Sequence, residues 1–592
     1  MKSLAVAALT LLGFCGNAFA GTPNPAENFE LAPAERNTER KAVEVGRISP
    51  FARLSRGGTF AKAPLEPVAA WRGETVNVRI VVAAGEKDLE DLNYARTIVL
   101  TPIPAMKKKN SESQRKAEEI VATVSPVRWT LGQGNVQFAD IVDLPGAETD
   151  VPAGTLREFL VTAKIPEGIA PGIYAGKFFV DAGGKKSVTV KIRVFPVKLP
   201  EPKDWAIHLD LWQHPQAVAR WAGVKPWSKK HFEALVGPMT RLRDLGQKVV
   251  TCSIIEEPWN HQTFDDWESM VKWKCGANGT WKFDYTAFDA WVDFMMNKIG
   301  IDEQISCYSM LPWMMKIRYF DEATGTRKEL ALNINAPEFG EVWGAFLADF
   351  KKHLRKKGWL EKTCIALDER PDAQLNAARK VIENVAPELK IVSANDHPTR
   401  MSDVVYDISP TFTHSGGDVP ALAVKRRAEG KKTTFYTCVY PAKPNSFTHS
   451  APAEAHWLGF YAAANGFDGI LRWAYNSWNK NPFETTAFGN WPAGDCFLIY
   501  PGNRTSMRLV HFRNGIEDFE KIRILRDAAA APGASDELKI AVKNLDDYLR
   551  ENFTVAHGGG SEHEAQVRRA SDLLDSASMH LPRGKKNRGA KK

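Results

Sequence analysis

The sequence predicts a multidomain protein of the β plus α/β class, in which an N-terminal β-sandwich precedes a (β/α)8 TIM barrel with C-terminal helices. Three observations lead to this prediction. Apolar residues alternate with period two over about 46–200. Short apolar runs then alternate with amphipathic stretches as far as residue 478, and helical periodicity follows from residue 505. A chain of 592 residues is long enough for several domains.

The first twenty residues have the three parts of a secretory signal peptide. Lys2 gives a positive start, residues 4–14 form an apolar run, and residues 18–20 are a small-x-small cleavage site. The apolar run is shorter than the roughly 20 residues that cross a bilayer, and we expect no integral membrane segment. We therefore expect an exported protein, periplasmic or extracellular, with residues 1–20 as the signal and 21–45 as a linker.

The β-sandwich is predicted over 46–200. Alternation is clearest at Val76, Val78, Ile80 and Val82, and it recurs over 188–194. Glycine and proline punctuate the intervals between such runs, which is typical of short strands joined by turns. A Leu-Pro-Glu-Pro-Lys segment at 199–203 then marks the domain boundary.

The TIM barrel is predicted over 201–530. Candidate strands lie at 206–212, 248–255, 304–310, 363–369, 390–396, 404–412, 433–440 and 469–478. Candidate helices lie at 229–246, 286–300, 338–357, 372–386, 419–429 and 452–465. Buried parallel strands are nearly continuous in apolar residues because helices cover their outer face. Eight β-then-α units predict a (β/α)8 barrel, in which the unit with the short helix at 419–429 is the weakest.

The end of the chain is predicted to be helical and then flexible. Residues 505–530 have apolar positions at near-helical spacing, and a further C-terminal helix is expected within 531–556. We expect 557–592, which opens with a glycine run, to be a flexible basic tail. Most cysteines lie in apolar, strand-like runs, which favours buried thiols over a disulfide framework.

The net charge of +8 does not indicate a nucleic-acid partner. Lys2 contributes one of these charges, and residues 581–592 contribute six with no acid. The rest of the chain is almost neutral, so composition gives no case for a nucleic-acid-binding fold. No phosphate-binding loop, dinucleotide fingerprint or strong metal-ligand spacing occurs, and we expect neither a cofactor nor a metal.

Asp368 and Glu369 are the strongest candidates for catalysis. TIM barrels place catalytic groups at the carboxyl ends of their strands, and this pair ends the fourth predicted strand. Adjacent carboxylates repel each other when both are ionised, so the pKa of one should rise, as a general acid near neutral pH requires. The alternative is structural, with Asp368 capping the next helix and Glu369 paired with Arg370.

Tryptophan is concentrated in the predicted barrel, because sixteen of the 18 lie between residues 205 and 491. Any single one is most simply a packing residue. At strand ends, however, aromatic faces suit the apolar C–H faces of sugars, whose hydroxyls bind carboxylates and amides. We therefore predict a carbohydrate-binding cleft. Its candidate substrate-binding residues are Asp210, Trp259, Trp313, Asn395, Tyr440, Trp473 and Tyr475.

Six segments together resemble glycoside hydrolase family 123. They are LDLWQHP (209–215), FDYTAFDAWVDF (283–294), ALDERP (366–371), LRWAYNSW (471–478), DCFLIYPG (495–502) and RNGIEDFE (513–520). The resemblance spans roughly residues 45–530. It implies a β-N-acetylgalactosaminidase with a β-sandwich followed by a (β/α)8 barrel, whose adjacent catalytic Asp and Glu fall on Asp368 and Glu369.

The resemblance also implies substrate-assisted hydrolysis with retention of configuration. The 2-acetamido oxygen of the sugar attacks the anomeric carbon. Asp368 orients that group and stabilises the oxazolinium intermediate, while Glu369 protonates the leaving oxygen and then activates water. The expected protein is an exported, exo-acting enzyme that removes terminal 2-acetamido sugars from glycans or glycoconjugates.

Three alternatives stay open at this point. The first is a glycosidase of different sugar specificity on the same scaffold, and the second is a non-catalytic glycan-binding protein. The third is a polyanion binder that acts through the basic tail. The sequence does not indicate an oligomeric state.

Overall fold

A computed structural model describes residues 35–103, 119–397 and 401–581. The predicted signal peptide, the first part of the predicted linker and the basic end from residue 582 lie outside the described residues. The described residues form a β-rich N-terminal region followed by a larger region of parallel strands and helices.

The N-terminal region is rich in β-strands, as predicted. Its strands are β1 (Glu44–Arg47), β2 (Val68–Arg72), β3 (Thr75–Ala83), β4 (Asn93–Tyr94), β5 (Thr97–Pro102), β6 (Ile120–Leu131), β7 (Gln137–Val142), β8 (Leu156–Lys164), β9 (Gly172–Asp181) and β10 (Lys185–Lys198). The main sheet order is β1-β3-β8-β6-β5-β9-β10-β2. Both halves of this sheet bury side chains in one apolar core, to which Val76, Val78, Ile80 and Val82 all belong.

The parallel strands of the second region confirm each predicted barrel strand. They are β11 (His208–Leu211), β12 (Val249–Ser253), β15 (Gln304–Tyr308), β18 (Thr363–Leu367), β19 (Lys390–Asn395), β20 (Asp407–Pro410), β21 (Lys432–Tyr436) and β22 (Gly469–Arg472). Their order is β11-β22-β21-β20-β19-β18-β15-β12. A parallel bridge between Leu209 and Gln247 links β11 to the start of β12, so the barrel is nearly closed.

Helices follow most barrel strands close to the predicted bounds. They are α1 (Pro215–Ala222), α2 (Lys229–Arg243), α3 (Thr286–Asp293), α4 (Pro337–Lys357), α5 (Asp372–Val385), α6 (Val419–Ala428), α7 (Pro452–Ala464) and α8 (Met507–Ala530). The weakest predicted helix is present as α6. Between β19 and β20, however, the described residues contain no helix, and the strict eightfold alternation is not confirmed.

The remaining strands come from long loops at the carboxyl end of the barrel. Strands β13 (Lys272–Cys275), β14 (Trp281–Asp284), β16 (Lys316–Asp321) and β17 (Thr326–Ala331) form a separate four-stranded sheet. Strands β23 (Ile499–Tyr500) and β24 (Arg504–Ser506) follow β22. Strand β24 pairs with β7, so the second region adds an edge to the N-terminal sheet.

Buried ion pairs join the two regions beside that edge. Arg128 and Arg504 both donate to Asp143. Burial would raise the pKa of Asp143, but the two guanidinium groups hold it below its usual value. Nearby, Arg508 and the hydroxyl of Tyr500 donate to Asp140. Asp140, Asp143 and Arg128 lie in the first region, whereas Arg504, Arg508 and Tyr500 lie in the second, so the carboxylates bind cationic groups across the interface.

The prediction of a flexible tail over 557–592 is wrong for the residues up to 578, because they are largely helical. After α9 (Asp536–Asn552) come α10 (Val555–Gly558) and α11 (His563–Ser578). Helix α11 buries Val567, Ala570 and Leu574, and its Gln566 accepts a hydrogen bond from the indole of Trp457. The glycine run thus separates two helices, and small residues on the buried face of α11 make its apolar stripe inconspicuous in the sequence.

The cysteines of the described residues are free thiols, and those at 252, 307, 364 and 496 are buried, as predicted. Within the same ranges, no helix combines the length and apolar character needed to span a membrane.

Candidate active site

Strand alternation in the barrel separates an interior face from a face covered by helices. On β18, Cys364 and Ala366 face the interior, whereas Ile365 and Leu367 pack towards the helices. At the carboxyl end of the interior, large aromatic residues contact one another; we call them the interior aromatic cluster. Its members are Trp212, Trp259, Trp267, Tyr308 and Tyr436. The ring centroids of Trp212 and Tyr308 lie 4.6 Å apart.

Asp368 and Glu369 follow the last residue of β18, Leu367. Because the strand has ended, the two neighbouring side chains are not forced to opposite faces. Asp368 continues the inward-facing series and is almost fully buried, and Glu369 reaches Tyr436 of the interior aromatic cluster. The side chains of Asp368 and Glu369 therefore both point to the carboxyl end of the barrel interior, as the sequence predicts.

The surroundings of Asp368 are aromatic. The indole Nε1 of Trp313 donates a hydrogen bond to Oδ2 at 2.9 Å. Burial raises the pKa of Asp368, while the Trp313 hydrogen bond and the charge of Arg370 oppose that rise. Trp259 of the interior aromatic cluster also acts to lower this pKa. The carboxylate is thus dry and is supported mainly by N–H dipoles.

Glu369 lies between acidic and neutral groups. Its Oε1 accepts a hydrogen bond from the hydroxyl of Tyr436. Burial raises the pKa of Glu369, and so do the charges of Asp368 and Asp396, whereas the Tyr436 hydrogen bond lowers it. A carboxyl with a raised pKa holds its proton closer to neutral pH, which suits a general acid.

The structural alternative for the pair is wrong. The N-cap position of helix α5 is Pro371 and not Asp368, and no side chain makes a capping hydrogen bond there. Arg370 donates from Nε to Gln374 at 3.0 Å and lies over the ring of Trp313, 5.2 Å from its centroid. Arg370 therefore covers one side of the pocket instead of binding Glu369.

Three of the predicted sugar-binding residues lie beside Asp368 and Glu369. Trp259 belongs to the interior aromatic cluster, and Trp313, which is 37% exposed, lies at the surface of the pocket. Trp473 packs against the same cluster, and its Nε1 donates to Asp495 at 3.0 Å. Asp495 also binds Arg472 at 2.8 Å, which fixes the indole of Trp473.

Two predicted residues do not face the interior. Tyr475 is fully buried and donates its hydroxyl to the carbonyl of Pro238 in α2. Strand β22 ends at Arg472, so alternation does not carry Tyr475 to the side of Trp473. Asn395 follows Ala394, which faces the interior, and therefore points the other way, where its Oδ1 accepts from the backbone of His397.

The remaining two are separate from the pair. Asp210 lies on β11, is deeply buried and precedes Trp212 by two residues; its Oδ1 has no hydrogen-bond partner among the described residues. Tyr440 is 62% exposed and lies four residues beyond the end of β21. Their contact with a sugar stays a prediction.

Sequence reasoning missed Tyr436, the residue that contacts Glu369. The predicted strand continued to residue 440 because the chain stays apolar there, whereas β21 ends at Tyr436. A strand end placed four residues earlier would have identified Tyr436. No local signal pointed to Asp495, whose partner Trp473 is 22 positions away.

The other end of the barrel interior carries a buried ion pair. Nε2 of His208 lies 3.0 Å from Oδ2 of Asp407, which also accepts from Gln304. Burial opposes the charged ring, but Asp407 and Glu303 raise the pKa of His208 to about 9. Burial likewise opposes the charge of Asp407, yet His208 holds its pKa below the usual value.

One group in the described residues has donor types that suit a cation. Nδ1 of His261 lies 2.9 Å from Oδ1 of Asp266 and 3.7 Å from Oε2 of Glu257. The two carboxylate oxygens of Glu257 already accept the backbone N–H groups of His261 and Trp267. The group therefore braces its own loop, and the expectation of no metal stays a prediction.

The sequence model described as glycoside hydrolase 123, catalytic domain, matches residues 212–525, which is more than half of the 592-residue chain. A solved family 123 glycoside hydrolase from Clostridium perfringens, studied for the details of glycolipid glycan hydrolysis, is 25% identical. The match covers 91% of this chain and 98% of that one, with a TM-score of 0.80. No curated protein matched the chain.

Two other glycosidases are much less similar. A family 39 glycoside hydrolase from Bacteroides cellulosilyticus is 10% identical over 76% of this chain and 82% of that chain, with a TM-score of 0.33. A family 5 xyloglucanase from Bacteroides ovatus is 9% identical over 80% of this chain and all of that one, with a TM-score of 0.30. The family match and the Clostridium structure are the informative ones: the chain belongs to glycoside hydrolase family 123 and is a glycoside hydrolase that acts on carbohydrate.

Proposed function

We propose that the protein is an exported, retaining exo-β-N-acetylgalactosaminidase that uses substrate-assisted hydrolysis. The observation behind the proposal is the pair Asp368 and Glu369, adjacent in sequence and directed at one region, with Trp313 on the first and Tyr436 on the second. An enzyme that supplies its own nucleophile places two separated carboxylates around the bond. Adjacent carboxylates suit a sugar that supplies the nucleophile itself.

In the first step, the acetamido oxygen of the substrate attacks the anomeric carbon. Asp368 accepts the N–H of the acetamide and stabilises the positive charge that develops on the oxazolinium ring. The indole N–H of Trp313 donates to Oδ2, and we assign the contact with the acetamide to Oδ1. A dry, N–H-supported carboxylate stabilises a nearby cation more strongly than a solvated one does.

Glu369 acts as the general acid and then as the general base. It gives its proton to the glycosidic oxygen as the bond breaks, and it later accepts a proton from the water that opens the oxazolinium ring. Its raised pKa favours the protonated form that the first step needs. Two inversions at the anomeric carbon then give net retention.

The relative from Clostridium perfringens was studied for glycolipid glycan hydrolysis. We extend that substrate class to this chain, with terminal β-linked N-acetylgalactosamine as the sugar removed. Export follows from the predicted signal peptide and places the enzyme where such glycans are accessible.

The test is the substitution Glu369→Gln with two aryl β-N-acetylgalactosaminides. With a poor leaving group, kcat/KM should fall by about 10²- to 10⁴-fold, since general acid catalysis has that size. With a dinitrophenyl leaving group, which needs no proton, most of the rate of the first step should remain. Glu551→Gln, at an exposed position in α9, is the matched control.

Equal losses with both leaving groups would contradict the role of Glu369. A panel of aryl glycosides that includes glucose, galactose and N-acetylglucosamine tests the sugar. Hydrolysis of a sugar without the acetamide at the full rate would exclude substrate assistance, as would indifference of the enzyme to an N-acetyl thiazoline analogue. NMR of the first product formed reports its anomeric configuration.

A further inference from the structure

Two long loops meet across the carboxyl end of β11, next to the catalytic pair. One follows β12 and covers residues 254–271, and the other follows β22 and covers residues 473–498. Strand β11 pairs with β22 on one side and contacts the start of β12 on the other. The barrel order therefore brings these two loops together at the edge of the pocket.

Aromatic residues from the two loops form two ring pairs that a backbone bridge joins. The first pair includes Trp473, which packs against the interior aromatic cluster. Trp491 lies with its ring centroid 5.9 Å from Trp473, Phe488 pairs with Trp491 through a backbone bridge, and the ring of Phe264 lies 6.3 Å from Phe488. We call Trp473, Trp491, Phe488 and Phe264 the aromatic path.

The aromatic path is held rigidly. Nε1 of Trp491 donates to the carbonyl of Gln262 at 3.0 Å and so ties the two loops together. The guanidinium of Arg220 in α1 lies 4.7 Å from the ring centroid of Phe264 and donates to Asp265 at 2.6 Å. Pinned aromatic rings lose little entropy when a ligand packs on them, which favours binding.

The outer members of the aromatic path are open to solvent. Phe264 is 39% exposed, and Phe488 and Trp491 are partly exposed. Neighbouring exposed apolar side chains, unlike single scattered ones, often mark a ligand-binding groove. A cavity of about 940 Å³ is lined by Arg220 and Asp265, the residues that hold Phe264, although the aromatic path itself does not line it. Volumes of roughly 300–1,000 Å³ are typical of ligand sites.

We propose that the aromatic path binds the sugar residues on the leaving-group side of the cleaved bond. The inference rests on the proposed function, since an exo-acting enzyme holds only the terminal sugar in its catalytic pocket and the rest of the glycan must leave that pocket. The aromatic path is continuous with the pocket at Trp473, and its rings match the apolar faces of sugars. Charged residues at its far end supply partners for hydroxyls.

The path makes the enzyme prefer extended glycans to simple glycosides. The experiment measures kcat/KM for a trisaccharide with terminal β-N-acetylgalactosamine on lactose and for an aryl β-N-acetylgalactosaminide. The ratio of the two values should fall about tenfold in Phe264→Ala and in Phe488→Ala, because an aromatic contact of this kind supports that factor. In the control Phe179→Ala, which removes an exposed ring from β9, the ratio should stay at the wild-type value.

Phe264→Leu keeps an apolar side chain but removes the flat ring, so it separates loss of the ring from a folding defect. A melting curve of each variant also detects a folding defect. A ratio equal to wild type in Phe264→Leu and Phe488→Ala would overturn the proposal. Failure of the wild type on the aryl substrate would instead reject the proposed function. In that case, calorimetric titration with the trisaccharide still tests the aromatic path. If Phe264→Leu and Phe488→Ala bind the trisaccharide as tightly as the wild type does, the aromatic path is not a glycan-binding site.

Discussion

The two ends of the barrel interior bury carboxylates in opposite electrostatic surroundings. At the amino end, Asp407 contacts the ring of His208 at 3.0 Å, and its pKa is lowered. At the carboxyl end, Asp368 accepts from the neutral indole of Trp313, and its pKa is raised. The same barrel provides similar burial to both, so burial alone does not decide the protonation state.

The difference lies in the partners. A cation at close range compensates for the lost hydration of a carboxylate, which then stays ionised and serves the fold. Neutral N–H and O–H donors compensate only partly, so the group can gain or lose a proton at a useful pH. A raised carboxyl pKa with neutral hydrogen-bond donors therefore distinguishes the carboxyl end of this barrel, where we propose that the chemistry takes place, from the amino end.

Asp407→Asn breaks the amino end and should have the largest effect on stability. It leaves the His208 ring without its close counter-charge, and loss of one partner of a buried pair costs about 3 kcal/mol or more. The free energy of unfolding from urea denaturation at pH 7 measures this loss. Asp368→Asn is the matched control, and it should leave the stability near the wild-type value.

The same comparison has a pH dependence. Below pH 6.5 the ring is charged in both folded and unfolded chains, so the full stabilisation by the pair is present there. Because the folded pKa of His208 is about 9, that contribution is lost as pH rises through 9. The difference between wild type and Asp407→Asn should therefore shrink at high pH. A constant difference up to pH 10 would contradict this account of His208.

Asp210 lies between the two ends of the barrel interior, where both a negative and a positive charge act on its pKa. Burial and the charge of Asp407 raise its pKa to about 7, although His208 acts against this. A carboxyl whose pKa is raised on folding favours the folded state most below its unfolded pKa of about 4, and this contribution is lost as pH rises through 7. Asp210→Asn should thus gain about 2 kcal/mol relative to wild type between pH 4 and pH 6.

Denaturation curves at the two pH values measure the effect of Asp210→Asn. Ser393→Ala, a change at a buried polar residue on the outward face of β19, provides a control without a titrating group. Parallel stability–pH curves for wild type and Asp210→Asn would exclude the assigned pKa.

Tyr436→Phe acts on the carboxyl end and should have the smallest effect. The Tyr436 hydroxyl lowers the pKa of Glu369, so its removal raises that pKa further. A general acid must be protonated, and the fall of kcat/KM at high pH should therefore move to higher pH. The loss of rate at the optimum should be about tenfold or less, since one hydrogen bond is involved. The kcat/KM profile against pH measures both, with Tyr548→Phe in α9 as the control.

A shift of the alkaline limb to lower pH in Tyr436→Phe would reverse the assigned direction. An unshifted limb with a tenfold lower rate would mean that Tyr436 positions Glu369 without adjusting its pKa.

The sequence was sufficient for the barrel strands and for the position of Asp368 and Glu369 at a strand end, because both have local signals. Continuous Val, Ile and Leu runs are required wherever helices cover the outer face of a strand, and Asp368-Glu369 directly follows such a run. The positions of Trp259, Trp313 and Trp473 near this pair were predicted for the same reason, since they lie just beyond strand ends, and their contact with a sugar stays a prediction.

The errors came from strand bounds and from distant contacts. Tyr475 and Asn395 were assigned to the wrong face because one or two residues decide whether alternation still applies. His208 and Asp407 are 199 positions apart, and the sequence around either residue does not predict its contact with the other. Side-chain partners across a barrel depend on register and shear, which a single sequence does not specify.

The pairing of β24 with β7 has a consequence for how this enzyme can be divided. The family match starts at residue 212, yet the loop that carries Phe488 and Trp491 is bonded at Thr486 to Leu131 of the N-terminal sheet. A chain cut at the start of the family match would lose the support of that loop and expose the partners of Asp140 and Asp143. The segment that the family model matches, 212–525, is thus smaller than the part of the chain that has to be kept together when this enzyme is truncated or engineered.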